Sequence, residues 1–187
     1  MRCIMAISLL NKEYTGLVIV DVQEKLMGVM GQKERVVDRV LKLLDLARVF
    51  QLPVILTEQS PQFLGATLPV IQESLPRYEP IEKVHFDCCE VDAFNDVTVE
   101  KGLRNIILTG VETHICVFQT CVSLLDRGYQ VHVPHHAVDS RTEANWQIGL
   151  SLMQEAGATI TSTEAIIFQI LKKAGSSEFK ALLKSIK

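Results

Sequence analysis

A three-layer α/β/α sandwich around a six-stranded parallel sheet, Rossmann-like in outline, is the fold this sequence predicts. Three observations point to it. Runs rich in β-branched and apolar residues recur at 16–21, 53–57, 81–85, 105–110, 130–134 and 158–162. Segments with helical spacing of apolar residues separate them, and a strand–helix–strand alternation yields parallel strands with helices on both faces. No linker, repeat or low-complexity tract interrupts the pattern, so residues 1–187 read as one domain, large enough to bury roughly 70% of its unfolded surface.

The first strand, 16–21, carries Val18-Ile19-Val20 and ends at Asp21, followed by Val22-Gln23. The helix at 33–50 follows, with Val36, Val37, Val40, Leu41, Leu44 and Ala47 on one face that packs on a sheet. After the second strand, 53–57, the stretch Glu58 to Thr67 is rich in Pro and Gly and reads as a loop placed to close over a site. A short helix at 68–73 leads to the third strand, 81–85, which contains Glu82-Lys83-Val84. A helix at 92–101 precedes the fourth strand, 105–110, which breaks at Gly110. The next helix, 115–127, therefore starts with Cys116 in its first turn. Helices at 142–156, 163–174 and 177–187 complete the alternation.

Composition excludes several classes. Lys and Arg number 19 against 22 Asp and Glu, a net charge of −3 with no basic block, which argues against nucleic acid as a partner. No apolar run approaches the roughly 20 residues of a membrane span. The stretch Met1 to Leu10 is too short and poorly formed for a secretory signal. Five cysteines without framework spacing suit a reducing compartment, so a cytoplasmic location is expected. Cys88-Cys89 are adjacent and His85, His114, His132, His135 and His136 form no metal-ligand motif, so no metal is expected. Nucleotide-binding glycine motifs and the serine-hydrolase G-x-S-x-G are absent, and no cofactor is expected.

In open parallel sheets, ligands bind beyond the carboxyl ends of the strands, near the switch in strand order. Three residues of matched chemistry fall there: Asp21, Lys83 and Cys116. Together they would form a nucleophilic set in which Asp21 takes the thiol proton, Lys83 stabilises the anion and Cys116 attacks. A cation and a helix N-terminus beside the sulfur would lower its pKa below the reference of about 8.5. Each residue also has an ordinary structural reading: Asp21 as a cap, Lys83 extended to solvent, Cys116 as a buried small apolar residue. Cys121 shares a helical stripe with Val117, Leu124 and Leu125 and reads as core, while Cys116 lies about 100° from Val117, on the stripe's margin. Cys88 and Cys89 read as packing or loop residues, with no cation or helix start evident beside them.

These motifs resemble those of the isochorismatase-like cysteine hydrolases, which include nicotinamidases and N-carbamoylsarcosine amidohydrolases. The resemblance rests on Asp21-Val22-Gln23 after the first strand, Lys83 in the third, and Gly110-Val111-Glu112-Thr113-His114-Ile115-Cys116-Val117, and spans residues 15–169. Thr57-Glu58-Gln59-Ser60-Pro61, Leu64-Gly65 and Leu125-Asp126-Arg127-Gly128 are most similar to the small isochorismatase-domain proteins of undefined substrate. It implies Asp21 as general base, Lys83 as its charged partner and Cys116 as nucleophile. It also implies strand order 3-2-1-4-5-6 and a cis peptide between Val111 and Glu112, with N–H groups of Glu112 and Cys116 aimed at the substrate oxygen. Gln23, Glu58 and Gln59 are the further candidates for substrate contact.

The nicotinamidase metal signature, Asp-x-His after the second strand, is replaced here by Glu58-Gln59-Ser60-Pro61, which points away from a nicotinamidase. The carboxylate of Glu112 would disfavour anionic substrates if it turned inward; with no buried partner identified, it is expected at solvent or a subunit contact. The function expected is hydrolysis of a small amide or related C–N substrate through a Cys116 thioester. The alternatives are a vinyl-ether hydrolase of the isochorismate type, a catalytically idle binding or scaffold protein, and a thiol redox sensor. Ile166-Ile167-Phe168-Gln169-Ile170-Leu171 is apolar on more than one face, which suits homo-oligomer contacts, as a dimer or tetramer, or core packing.

Overall fold

The computed structural model describes residues 9–186; Cys3 and most of the stretch weighed as a signal lie outside the described residues. Strand β1 (Thr15–Val20) is buried along its whole length and sits in the middle of the sheet. Its side chains divide by parity. Leu17 and Ile19 join one core with Leu56, Ile107, Val36, Val40 and Ile166, whereas Val18 and Val20 join another with Ile55, Ile106, Leu108, Cys121 and Leu124. A period-2 strand with both faces apolar is what a sheet between two helical layers requires.

The other strands are β2 (Val54–Gln59), β3 (Ile81–Lys83), β4 (Asn105–Val111), β5 (Gln130–Pro134), β6 (Val138–Asp139) and β7 (Thr159–Thr161). All pairings are parallel, in the order β3-β2-β1-β4-β5-β7, with β6 paired to the end of β4. The expected sheet order is thus met, the expected sixth strand being β7. The extra strand β6 is two residues long and carries no periodic signal of its own.

One helical layer contains α2 (Lys33–Phe50), α8 (Thr163–Leu171) and α9 (Ser177–Ile186); the other contains α5 (Asp92–Glu100), α6 (Phe118–Asp126) and α7 (Glu143–Ala156). Short helices α1 (Glu24–Met27), α3 (Pro61–Leu64) and α4 (Pro69–Gln72) line the carboxyl edge of the sheet. Ile166, Ile167, Ile170 and Leu171 of α8 are buried in the core, so most of that apolar tail is explained by packing within the chain.

Several boundaries differ from the sequence reading. The 58–67 loop is shorter than expected, because Glu58 and Gln59 still belong to β2 and Pro61 opens α3 at the position where a missing N–H costs nothing. β3 ends at Lys83. The helix expected at 115–127 begins as a π-type turn, Thr113–Val117, that passes into α6.

Candidate active site

β1 ends by turning. Asp21 takes φ 53°, a left-handed conformation that Asp tolerates better than most residues, and the turn is held by Asp21 N–H to Thr57 O (3.2 Å) and Gln23 N–H to Asp21 O (2.8 Å). The neighbouring strand must come very close. A Cβ on Gly110, itself at φ 116°, would lie 2.0 Å from the Val20 carbonyl oxygen, so only glycine lets β4 pass this corner.

The Asp21 carboxylate is completely buried and fully engaged. One oxygen accepts from Thr57 Oγ1 at 2.7 Å and the other from Lys83 Nζ at 2.7 Å; Lys83 Nζ also donates to Gln59 Oε1 at 2.9 Å. Both side chains of the ion pair are 0% exposed. Burial alone would lower the Lys83 pKa, but the Asp21 carboxylate, with smaller help from Cys88 and Cys116, holds the ammonium above its ordinary range. The snorkelling alternative for Lys83 is therefore excluded, because its side chain runs inward to a charge-assisted hydrogen bond.

Cys116 sits in the π-type turn, 6% exposed, with its thiol against Asp21. Burial, then the adjacent Asp21 carboxylate, pushes the thiol pKa up, and the opposing pull of Lys83 does not reverse this. The expectation of a lowered thiol pKa is thereby corrected: desolvation outweighs the cation. The Cys116 thiol is in hydrogen-bond contact with the Asp21 carboxylate. The peptide bond between Val111 and Glu112 is cis, as the resemblance implied. The Glu112 carbonyl then accepts from the N–H groups of Ile115 (3.1 Å) and Val117 (3.2 Å), folding the chain into the turn that presents Cys116. Helix α7 presses on this turn: a Cβ on Gly149 would lie 2.9 Å from the backbone of Thr113 and His114.

Gln23, Glu58 and Gln59 have protein partners instead of free polar atoms. Gln23 is buried and donates to the carbonyls of Gln59 (3.1 Å) and Gly65 (2.7 Å) while accepting from Gln59 N–H (2.8 Å). Gln59 donates its amide to Val84 O at 2.9 Å and accepts from Lys83. One oxygen of Glu58 accepts from Thr67 N–H (2.6 Å), Thr67 Oγ1 (2.7 Å) and Tyr78 Oη (2.5 Å). Gln23 and Glu58 tie the segment 65–78 to the strand ends beside the ion pair, aided by Glu24 N–H to Ala66 O and Leu68 N–H to Val22 O, each 3.0 Å.

Glu112 also departs from expectation. It is buried, and Arg141 is its partner: Nε lies 2.9 Å from Oε1, and Nε and the backbone N–H of Arg141 lie 3.2 and 3.4 Å from Oε2. The unrecognised strand β6 is what brings Arg141 there, so no sequence signal linked residues 29 positions apart. Thr57 was legible in principle, because parallel register sets it beside Val20. Cys88 was misread as remote from any cation. Its sulfur is 3.9 Å from Thr57 Oγ1, its N–H donates to Thr120 Oγ1 at 3.0 Å, and burial, opposed by nearby Lys83, raises its pKa to about 11. Cys121 is core, raised by burial to about 12. Among the described residues no cluster of three or more His, Cys, Asp or Glu side chains is arranged to hold a metal ion, and no helix is long and apolar enough to cross a membrane.

A model of the isochorismatase domain matches residues 15–165, which include every member of this site. The chain belongs to the isochorismatase family. It is 37% identical over 175 residues to the secreted isochorismatase effector Isc1 of Phytophthora sojae (strain P6497), a match covering 91% of this chain and 83% of the relative. It is 34% identical over 171 residues to isochorismatase domain-containing protein 2 of Bos taurus, covering 91% and 82%. Among solved structures, the MAR1 ribonuclease of Caenorhabditis elegans superposes with a TM-score of 0.90 at 34% identity, covering 96% of this chain and 92% of that one. The family membership makes the chain an isochorismatase-family hydrolase, and its sheet order is that of a Rossmann-like three-layer sandwich.

Proposed function

We propose that this isochorismatase-family protein hydrolyses a small amide or related C–N substrate through a thioester on Cys116. The observation that carries the reading is the buried Asp21–Lys83 pair with the Cys116 thiol against Asp21. Asp21 accepts the thiol proton as the sulfur attacks the carbonyl carbon, and Lys83 keeps the carboxylate in place and offsets charge as the proton moves. The oxyanion is held by the backbone N–H groups of Glu112 and Cys116, on either arm of the turn that follows the cis bond after Val111. As the C–N bond breaks, the leaving nitrogen takes the proton from Asp21. Water then attacks the thioester, gives a proton back through Asp21, and releases the carboxylic acid and the free thiol.

A phosphodiester substrate, suggested by the name of the nematode relative, finds less support here: the chain is acidic, at −3, and the nucleophile is a nearly enclosed thiol. We further propose that the protein works as a homo-oligomer, a dimer or tetramer, in a reducing, cytoplasmic setting. Exposed Phe63, Val84 and Phe86 beyond the ends of β2 and β3 and the free thiols Cys88, Cys89, Cys116 and Cys121 support this.

The test is a screen of small amides with intact-mass detection of an acyl adduct. An adduct mapped to Cys116, lost in Cys116→Ala, is expected; turnover that survives Cys116→Ala on a verified substrate would replace the thioester with direct activation of water by Asp21.

A further inference from the structure

We infer that Thr57 is a positioning residue of the site: its hydroxyl fixes the plane of the Asp21 carboxylate, so that this base stays aligned on Cys116. The inference rests on the roles proposed above for Asp21 and Cys116, and not on amide turnover. Thr57 grips Asp21 at two points. Its carbonyl accepts from Asp21 N–H at 3.2 Å, within the left-handed turn, and its Oγ1 donates to Asp21 Oδ1 at 2.7 Å. Lys83 Nζ holds the other oxygen, Oδ2, at 2.7 Å. The last torsion of an aspartate is broad, and an ammonium is a compact charge on a flexible stem, so Lys83 alone would leave the carboxylate free to pivot. A second donor on the second oxygen removes that freedom.

Thr57 is itself fixed. It is 0% exposed, its β-branched side chain has little rotameric freedom, and parallel register sets it beside Val20, the residue before Asp21. The direction of its hydroxyl is set from the far side. Cys88 Sγ donates to Thr57 Oγ1 at 3.9 Å, and Cys88 is held in turn by its N–H to Thr120 Oγ1 at 3.0 Å. A hydroxyl has one proton to give, so with a lone pair turned to Cys88 that proton lies towards Asp21. The chain of donors runs from Cys88 through Thr57 to one carboxylate oxygen, while Cys116 is in hydrogen-bond contact with the same carboxylate.

Iodoacetamide reads this without any physiological substrate: its CH₂ carbon bonds to the Cys116 sulfur, iodide leaves, and the thiol proton passes to Asp21 and on to water. Labelling of the fully reduced chain, mapped to Cys116 by peptide mass, is followed from about pH 6 to 9. Asp21, Lys83 and Cys88 are among the groups acting on this thiol. A thiol that ionises before it reacts gains about tenfold in rate per pH unit below its pKa, whereas one deprotonated by an aligned base as it attacks shows a limb that does not change with pH. The wild type should show that limb near neutral pH. Thr57→Val keeps the branched shape without the hydroxyl and should lower the limb by about tenfold or more. Thr57→Ala, measured beside it, should do the same, and Thr57→Ser, which keeps the hydroxyl, should stay within about threefold of the wild type. Loosened packing would act in the opposite sense, because local opening exposes Cys116 and speeds its labelling. A limb as high in Thr57→Val and Thr57→Ala as in the wild type overturns the inference, and so does a Thr57→Ser variant as slow as Thr57→Val. A wild type without the limb, or without Cys116 labelling, defeats the Asp21 and Cys116 roles on which it rests, whereas failure of the amide screen alone leaves it standing.

Discussion

Replacing Lys83 by Met tests whether the ion pair holds the site together. The methionine keeps most of the aliphatic length, so packing along β3 is preserved and the change is chiefly one of charge. What it removes is a 2.7 Å bond to an Asp21 oxygen that no water reaches, leaving a carboxylate whose remaining side-chain partners, the Thr57 hydroxyl and the Cys116 thiol, are uncharged donors. Breaking one side of a buried pair typically costs about 3–5 kcal/mol, because the remaining charge is uncompensated. For a domain of this size each kcal/mol corresponds to about 2–4 °C, so the melting temperature should fall by roughly 6–20 °C. Adding Asp21→Asn removes the stranded charge and, since Asn also tolerates the left-handed backbone at φ 53°, should recover at least about half of the loss. Urea titrations of wild type, both single variants and the double, under reducing conditions, give the cycle, with equal m-values as the check on two-state behaviour. A Lys83→Met variant within about 1 kcal/mol of wild type, or a double variant no more stable than Lys83→Met, would refute the pairing as an energetic unit. The same variant has a chemical signature. Lys83 lowers the Cys116 pKa against burial and Asp21, so without it the alkylation profile of Cys116 should move to higher pH.

Two further outcomes follow from the packing around the site. Gly149→Ala places a methyl 2.9 Å from the backbone of Thr113 and His114, so it should destabilise the fold by about 1–3 kcal/mol and slow Cys116 alkylation by displacing its turn, while Ser151→Ala on the exposed side of α7 should do neither; parallel melting and labelling measurements decide. His132 is buried in β5 with its Nδ1 unpartnered, and burial lowers its pKa below the ordinary 6.5. Below that value the unfolded chain binds the proton and the folded one resists it, so stability should fall as pH drops through about 6.5 and towards 5. Chemical denaturation of His132→Gln across that range should show a shallower decline than wild type, and an identical slope would remove His132 as a cause.

Which parts of this molecule the sequence discloses depends on the range of the forces involved. Strand β1 is readable because burial on both faces writes itself into six consecutive positions, and Asp21 and Cys116 are readable because they follow the fully buried runs of β1 and β4, whereas Lys83 ends the short, half-buried β3. Strand β6 spans two residues and makes no pattern, and with it vanishes the link from Glu112 to Arg141, hence the orientation of the carboxylate. Gln23 and Glu58 are picked out by their place at strand ends; their hydrogen bonds to Gly65, Thr67 and Tyr78 depend on how the 65–78 segment folds back, which local patterning does not specify.

The thiol is the case with chemical consequences. Near neighbours in sequence announce a helix start, which favours a thiolate, but desolvation comes from elsewhere: from Gly149, which lets α7 close on the turn, and from the core beneath it. Burial outweighs Lys83, and the thiol beside the ion pair has its pKa raised. In the mechanism proposed above, the proton moves to Asp21 as the sulfur attacks, while the developing oxyanion is met by backbone N–H donors. Lys83, at 2.7 Å from the same carboxylate, keeps Asp21 aligned. A carboxylate held in place and a thiol whose pKa is raised by burial suit the acyl donor proposed above, whose own carbonyl takes up the developing charge. Removing Lys83 should raise the Cys116 pKa and free Asp21 from its 2.7 Å partner, so slower labelling of Cys116 at neutral pH is expected, and labelling as fast as in the wild type would show that the pair does not shape the site.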